Sequence, residues 1–351
     1  MDLNDKSILI VRTDRIGDVV LTLPAASKIK QQYPGCRVTF MLRSYTRALA
    51  DNNPYIDEVL LPAEKNNKTG FFSTLSMIRK KKFDCAVMVS PAFRLALIIF
   101  LAGIKQRIGT GYRWYSFLFS HKVFEHRKYA EKHELEYNVN LLSRLGVNTD
   151  INPATAVFGL KADLQSDQKI GHLLGEIGYD FSKPMVIFHP GSGGSAVDLP
   201  ENSMKKIIEL VARELNVNIV LTGSASEKQL CGELIESISD GSSCSAVYNL
   251  AGMSGLQDLI ALINRSVVLV ANSTGPIHIA AALGKYVIGF YPKIAACSKE
   301  RWGPYSRKAF VFEPETGCSG CSRETCESTN CMQTIRPERV FNTISEILGK
   351  V

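Results

Sequence analysis

Short runs of consecutive apolar residues alternate along the chain with longer stretches of mixed apolar and polar positions, and the alternation occurs twice. In the first series the runs predict strands at 7–11, 37–42, 58–61, 86–89 and 107–109. Helical stretches begin between them, near Asp18, Tyr45, Phe72 and Ala92. Strand and helix in turn argue for a parallel sheet covered by helices. A further helical stretch covers about 132–145, and 146–155, with its Gly, Asn, Asp and Pro, reads as a linker. A second series follows, with strands expected at 185–188, 218–222, 246–249, 267–270 and 286–289. The pattern therefore predicts an α/β protein of two doubly wound domains. Such sheets bind ligands beyond the carboxyl ends of their strands, so the loops after the strands should carry the function.

Composition narrows this picture. The 351 residues, 45% of them hydrophobic, suffice for two cores. The longest apolar run, Leu95 to Ile104, is too short for a membrane span and fits a buried helix. Met-Asp-Leu-Asn-Asp-Lys at the start lacks the layout of a signal peptide, so a cytoplasmic protein with mostly reduced cysteines is expected. The net charge of +7 is uneven: residues 1–160 hold 23 basic and 14 acidic side chains, a net of +9, and the remainder nets −2. Arg79-Lys-Lys-Lys82, Arg94, Arg107, Arg113, Lys122, Arg127 and Lys128 suit an anionic acceptor, a phospholipid surface or nucleic acid, or form a solvated basic face. No nucleic-acid motif or aromatic stacking pattern accompanies them.

Four loops carry candidate chemistry. The apolar run ending at Ala271 breaks into Asn272-Ser-Thr-Gly-Pro-Ile-His-Ile-Ala280 and resumes as an Ala-rich helix. Backbone N–H groups, the hydroxyls of Ser273 and Thr274 and the His278 imidazole then meet at a helix N-terminus, where an anion binds. Pro276 suits the first helical turn, and Ser273 or Thr274 can cap. After the first strand of the second series, His189-Pro-Gly-Ser-Gly-Gly-Ser195 offers donors to a diphosphate or is a long turn. Thr222-Gly-Ser-Ala-Ser-Glu227 ends in a carboxylate that suits ribose hydroxyls or a helix N-terminus. After the first strand of the chain, Arg12-Thr-Asp-Arg-Ile-Gly-Asp18 places Asp18 at a helix start, as an N-cap or as a base facing a cleft. That loop lacks both the three-glycine dinucleotide fingerprint and the Gly-Lys-Ser/Thr ending of a P-loop.

Together these loops resemble glycosyltransferase family 9, the heptosyltransferases that use ADP-heptose to build the lipopolysaccharide core. The resemblance rests on residues 8–24, Asn-Asn-Pro-Tyr-Ile-Asp-Glu-Val at 52–59, Arg-Ile-Gly at 107–109, the segments 189–195 and 272–280, and Arg301-Trp-Gly-Pro-Tyr305. It implies a GT-B architecture of two Rossmann-like domains facing a central cleft: an acceptor-binding domain at 1–155, a nucleotide-sugar domain at 156–335, and a final helix at 336–351 packing back toward the first. It further implies an inverting transfer of heptose from ADP-heptose to a lipopolysaccharide inner-core acceptor on the inner membrane face, with no cofactor and no metal required. Asp18 would be the general base. Ser192, Gly193, Gly194, Ser195, Glu227, Ser273, Thr274, Gly275 and His278 would hold the donor.

Two positions depart from the family pattern. Where members commonly carry a lysine in Ser-Ala-Lys-x-(Leu/Trp)-Pro, this chain has Val197 in Ser195-Ala-Val-Asp-Leu-Pro200, so another cation such as Arg15 or Lys293 is needed at the diphosphate, or donor affinity is low. Ser273 stands where some heptosyltransferases have aspartate. Cys318, Cys321, Cys326 and Cys331 form a C-x2-C-x4-C-x4-C cluster, spaced for a tetrahedral zinc, a set of reduced structural thiols or a disulfide. Two other functions share the motifs: a nucleotide-sugar epimerase of similar fold, and a nucleotide-sugar binding protein without turnover, to which Val197 lends support.

Overall fold

A computed structural model describes residues 2–62, 64–65, 68–236, 245–252, 255–317 and 322–350. The chain divides into two compact units, 1–127 with 131–160, and 161–351 with 128–130.

In the first unit the strands are β1 (Ser7–Val11), β2 (Arg37–Met41), β3 (Glu58–Leu60), β4 (Cys85–Met88), β5 (Gln106–Thr110) and β6 (His121–Val123). They form one parallel sheet in the order β3-β2-β1-β4-β5-β6. Ile8, Leu9, Ile10 and Val11 are all fully buried, as expected of a central parallel strand covered on both faces. The helices are α1 (Ile16–Val20), α2 (Leu23–Gln32), α3 (Phe71–Lys81), α4 (Phe93–Leu101) and α5 (Glu134–Asn140). The helical stretch expected from Asp18 is in fact two helices. Pro24, in the first turn of α2, has no N–H to bond back into α1, so the first helix stops at Val20. The stretch near Tyr45 is a 3-10 turn, Ser44–Leu49, rather than an α-helix. The core packs Leu9, Val11, Met41, Leu75, Ile78, Met88 and Ile98 between sheet and helices.

The second unit repeats the plan. After α6 (Leu164–Glu176) come β7 (Met185–His189), α7 (Glu201–Glu214), β8 (Asn218–Leu221), α8 (Lys228–Glu236), β9 (Ala246–Asn249), α9 (Leu256–Arg265), β10 (Val268–Asn272), α10 (Gly275–Ala282), β11 (Tyr286–Phe290), α11 (Lys299–Trp302), β12 (Ala309–Phe312), α12 (Arg323–Thr329) and α13 (Pro337–Leu348). The parallel order is β9-β8-β7-β10-β11-β12. In each sheet the chain runs outward one way from the first strand and then returns to its other side. The strand order therefore reverses between β1 and β4, and again between β7 and β10. A crevice opens at such a switch point because the flanking loops depart to opposite faces. The last helix buries Val340, Ile344 and Ile347, spaced four and three apart on one face, in the core that also holds Ile207, Ile208 and Val211 of α7. Each such side chain contributes about 1.5–3 kcal/mol by leaving water.

Candidate functional site

The second unit brings the Gly-rich loop and the Ser-Thr-Gly-Pro turn together. Their strands are neighbours in register, Val270 beside Phe188 and Ala271 beside His189, so both loops leave the sheet side by side at the switch point. Asn272, the last residue of β10, then ties the two. Fully buried, it donates through Nδ2 to the carbonyl of Pro190 at 2.5 Å and accepts at Oδ1 from the N–H of Leu199 at 2.9 Å. One side chain thus pins both ends of the Gly-rich loop. Between the pins, Gly193 and Gly194 take φ of +56° and +76°, which a side chain would strain. Ser195 returns its N–H and hydroxyl to the Ser192 carbonyl at 3.2 and 2.9 Å.

The turn after β10 differs in one detail from expectation. Thr274 occupies the N-cap of α10, but neither its hydroxyl nor that of Ser273 caps the helix. Ser273 instead hydrogen-bonds Tyr291, whose hydroxyl is pushed up by burial and donates to the Trp302 carbonyl at 2.9 Å. Gly275 opens α10, Pro276 follows it, and His278 lies buried in the first turn. Thr274 and Gly275 stand at the helix N-terminus, where the partial positive charge of the helix is concentrated.

Glu227 joins the third loop to the first. Its Oε2 accepts from the N–H and hydroxyl of Ser224 at 2.7 and 2.8 Å, which fixes the turn leading into α8. Its Oε1 lies 1.6 Å from where a Cβ on Gly191 would stand. Behind it, His189 meets the Thr222 hydroxyl at 3.0 Å through Nδ1, and burial pushes the imidazole down to about 4, with Glu227 opposing. His189 is thus a neutral packing group.

Val197 faces inward, in the core with Phe188 and Leu199. Arg323 of α12, ion-paired with Glu327 at 2.7 Å, reaches the loop and donates to the carbonyls of Gly194 and Ala196 at 3.1 and 3.2 Å. Lys293 is engaged elsewhere, with the Thr316 carbonyl at 2.9 Å. Burial pushes the neighbouring Asp198 carboxyl up, against the Ser192 hydroxyl and Arg323. Of the four clustered cysteines, Cys326 and Cys331 lie buried in the core beside Met332, while Cys318 and Cys321 fall outside the described residues.

In the first unit Asp18 sits in the opening turn of α1, one-fifth exposed, and is ion-paired with Arg12. Arg12 is 3% exposed and also faces Asp14 at 3.2 Å and Glu134 at 3.6 Å. Glu134, nearly fully buried, pairs in addition with Arg127. The backbone beneath Asp18 is held as well: the Thr22 hydroxyl donates to the Asp18 carbonyl at 2.8 Å, and Asn138 donates to Thr22 Oγ1 at 3.2 Å. Asp14 accepts from Ser90, beyond β4, at 2.9 Å, so this cluster spans the first sheet's switch point. Its carboxylate is positioned by a buried guanidinium and remains open to water, an arrangement suited to taking a proton from a bound hydroxyl.

The model of glycosyltransferase family 9 (heptosyltransferase) matches residues 72–332, about three-quarters of the chain. The chain belongs to glycosyltransferase family 9. It is accordingly a glycosyltransferase of the GT-B type, with two Rossmann-like units. The lipopolysaccharide core heptosyltransferase OpsX of Haemophilus influenzae is 26% identical over 82% of this chain and 79% of its own length. Among family 9 structures, one from Veillonella parvula superposes with a TM-score of 0.83 at 19% identity, covering 100% of this chain and 99% of its own. The E. coli heptosyltransferase WaaC with ADP gives 0.72 at 18%, covering 97% and 99%.

Proposed function

We propose that this family 9 enzyme transfers heptose, with inversion, from ADP-heptose to an inner-core acceptor of lipopolysaccharide. Asp18 takes the proton of the acceptor hydroxyl as that oxygen forms its bond to the anomeric carbon. The bond from that carbon to the diphosphate breaks, and ADP departs carrying the electron pair. Its growing charge meets the N–H groups of Thr274 and Gly275, the hydroxyls of Ser273 and Thr274, and His278. Ser192, Gly193, Gly194 and Ser195 line the same diphosphate, and Glu227 accepts from the ribose hydroxyls. Arg323 supplies positive charge at the loop where Val197 has none.

The observation that carries this reading is the Asn272 clamp, which sets a glycine-rich loop against a helix N-terminus at a switch point. The ADP in the matched WaaC structure and the heptosyltransferase names of the relatives support the choice of donor. Family membership favours transfer over the epimerase and over a binding protein without turnover. The test is a thermal-shift comparison of ADP, UDP and GDP, followed by transfer from ADP-heptose to a heptose-deficient core acceptor. Preference for ADP together with transfer is expected. Preference for UDP, or ADP-heptose binding without transfer to any core acceptor in both wild type and Val197→Lys, would overturn it.

A further inference from the structure

The second unit's sheet ends at β12, which with its flanks reads Arg307-Lys-Ala-Phe-Val-Phe-Glu-Pro-Glu315. The strand itself, Ala309–Phe312, is apolar throughout and half-buried at every position. The other edges of the two six-stranded sheets are polar or tied down. β3 opens on Glu58, which pairs with Arg37 and Lys81, and β6 contains His121 and Lys122. β9 ends in Asn249, which donates to the Lys228 carbonyl at 3.3 Å. Edge strands are ordinarily blunted in such ways, because their unpaired N–H and C=O groups accept another strand. On β12 the ladder shows which groups these are. The N–H groups of Val287 and Tyr291 donate to the carbonyls of Lys308 and Phe312 at 2.9 and 3.0 Å, so alternate residues turn their backbone toward β11. Ala309, Val311 and Glu313 fall between them and direct theirs outward.

Charge and shape identify what this edge accepts. Arg307 and Lys308 precede the apolar run, and Glu313 and Glu315 follow it. A parallel neighbour of the same sequence would set like charge against like. An antiparallel one sets the basic end against the acidic end, twice over by symmetry. In the register centred on Val311, the outward groups of Ala309, Val311 and Glu313 meet those of Glu313, Val311 and Ala309 in the second copy. Pro314 breaks no bond there, since its backbone faces inward. Arg307, itself exposed, comes opposite Glu315, which holds Arg336 and Arg339 of its own chain and remains exposed to a further guanidinium. Phe310 comes opposite Phe312 in a non-hydrogen-bonded pair, where Cβ atoms stand about 4.5–5.5 Å apart. There is room for the incoming rings: Phe310 and Phe312 line a cavity of about 580 Å³ together with Arg339, Asn342, Thr343 and Glu346 of α13.

We propose that β12 pairs antiparallel with β12 of a second copy of this chain, about a two-fold axis at Val311, so that two six-stranded sheets continue into one another. The pairing does not depend on the identity of the donor. Sedimentation velocity of the full chain from about 1 to 100 µM should show monomer passing to dimer. Val311→Pro removes an outward N–H and leaves the ladder to β11 whole. It should raise the dimer Kd on the order of tenfold, while the Tm of dilute protein and the thermal shift by ADP keep their wild-type values. Arg307→Glu and Glu315→Arg should each weaken self-association, and an equimolar mixture of the two should dimerise, because each copy then offers the charge the other lacks. That mixture tests the pairing without altering the strand backbone. Three results would overturn the proposal: wild-type protein monomeric throughout, which would leave the edge to a strand of another protein; a folded Val311→Pro variant that dimerises like wild type; or a mixture that associates no better than its components. The thermal shift by ADP, read on the same samples, reports separately on the donor site.

Discussion

Asp18 and His189 show how differently two titratable side chains can be used in one chain. Asp18 keeps access to water while Arg12 fixes its direction, so the asparagine variant retains the shape and loses the capacity to accept a proton. Asp18→Asn should reduce kcat on the order of 10²- to 10⁴-fold, and leave the thermal shift by ADP unchanged. His189 is buried and held neutral, its pKa lowered from 6.5 to about 4. The unfolded chain therefore binds a proton that the folded chain refuses. The stability this difference contributes is complete above pH 6.5 and is lost as the pH falls toward 4, by roughly 3 kcal/mol in all. His189→Asn should show a shallower fall in Tm between those limits, measured as the difference from wild type. Residues of this kind were only partly legible in the sequence. Asp18 stood in a recognisable loop. Nothing in the linear pattern marks Arg12 as the residue that orients it, or Asn272 as the tie between two loops. Their partners are set by neighbours in the sheet, which a linear reading does not reveal.

At the level of elements, the strands of both sheets were readable because each buried strand is a continuous apolar run. Of the edge strands, β3 and β9 were among those expected, whereas β6, three residues His121–Val123, is too short to carry the signature, and β12, Ala309–Phe312, is an apolar run that was not assigned. The split between α1 and α2 follows from Pro24, a local cause the pattern contained. Arg323 is different: it approaches the Gly-rich loop from α12, some 130 residues later, with no sequence signal that could announce it. The junction of Gly191 with Glu227 offers a test of how the loops depend on each other. A methyl group at Gly191 would collide with the Glu227 carboxylate, so Gly191→Ala should expel it and destabilise the loop by about 1–3 kcal/mol. Adding Glu227→Ala should recover part of that loss, as read in a double-mutant cycle by Tm.

Among the described residues each unit holds a hydrophobic core of its own, and the candidate donor loops all belong to the second unit. Ligand binding stabilises only the state that binds, by about 2.7 kcal/mol at a hundredfold excess over Kd. For a unit of this size that corresponds to about 5–10 °C. Calorimetry should therefore show ADP raising the transition of the second unit, with the first responding only as far as the two unfold together.

The Asn272 clamp holds its loop through backbone atoms, the Pro190 carbonyl and the Leu199 N–H, rather than through side chains. The rim between these anchors can accordingly be rewritten without moving the frame, which separates inheritance of the fold from choice of ligand. Amide exchange should record that division. The Leu199 N–H, locked beneath a buried side chain, should exchange only when the unit opens globally, while Gly193 and Gly194 exchange through local fluctuation, minutes against days in the same loop.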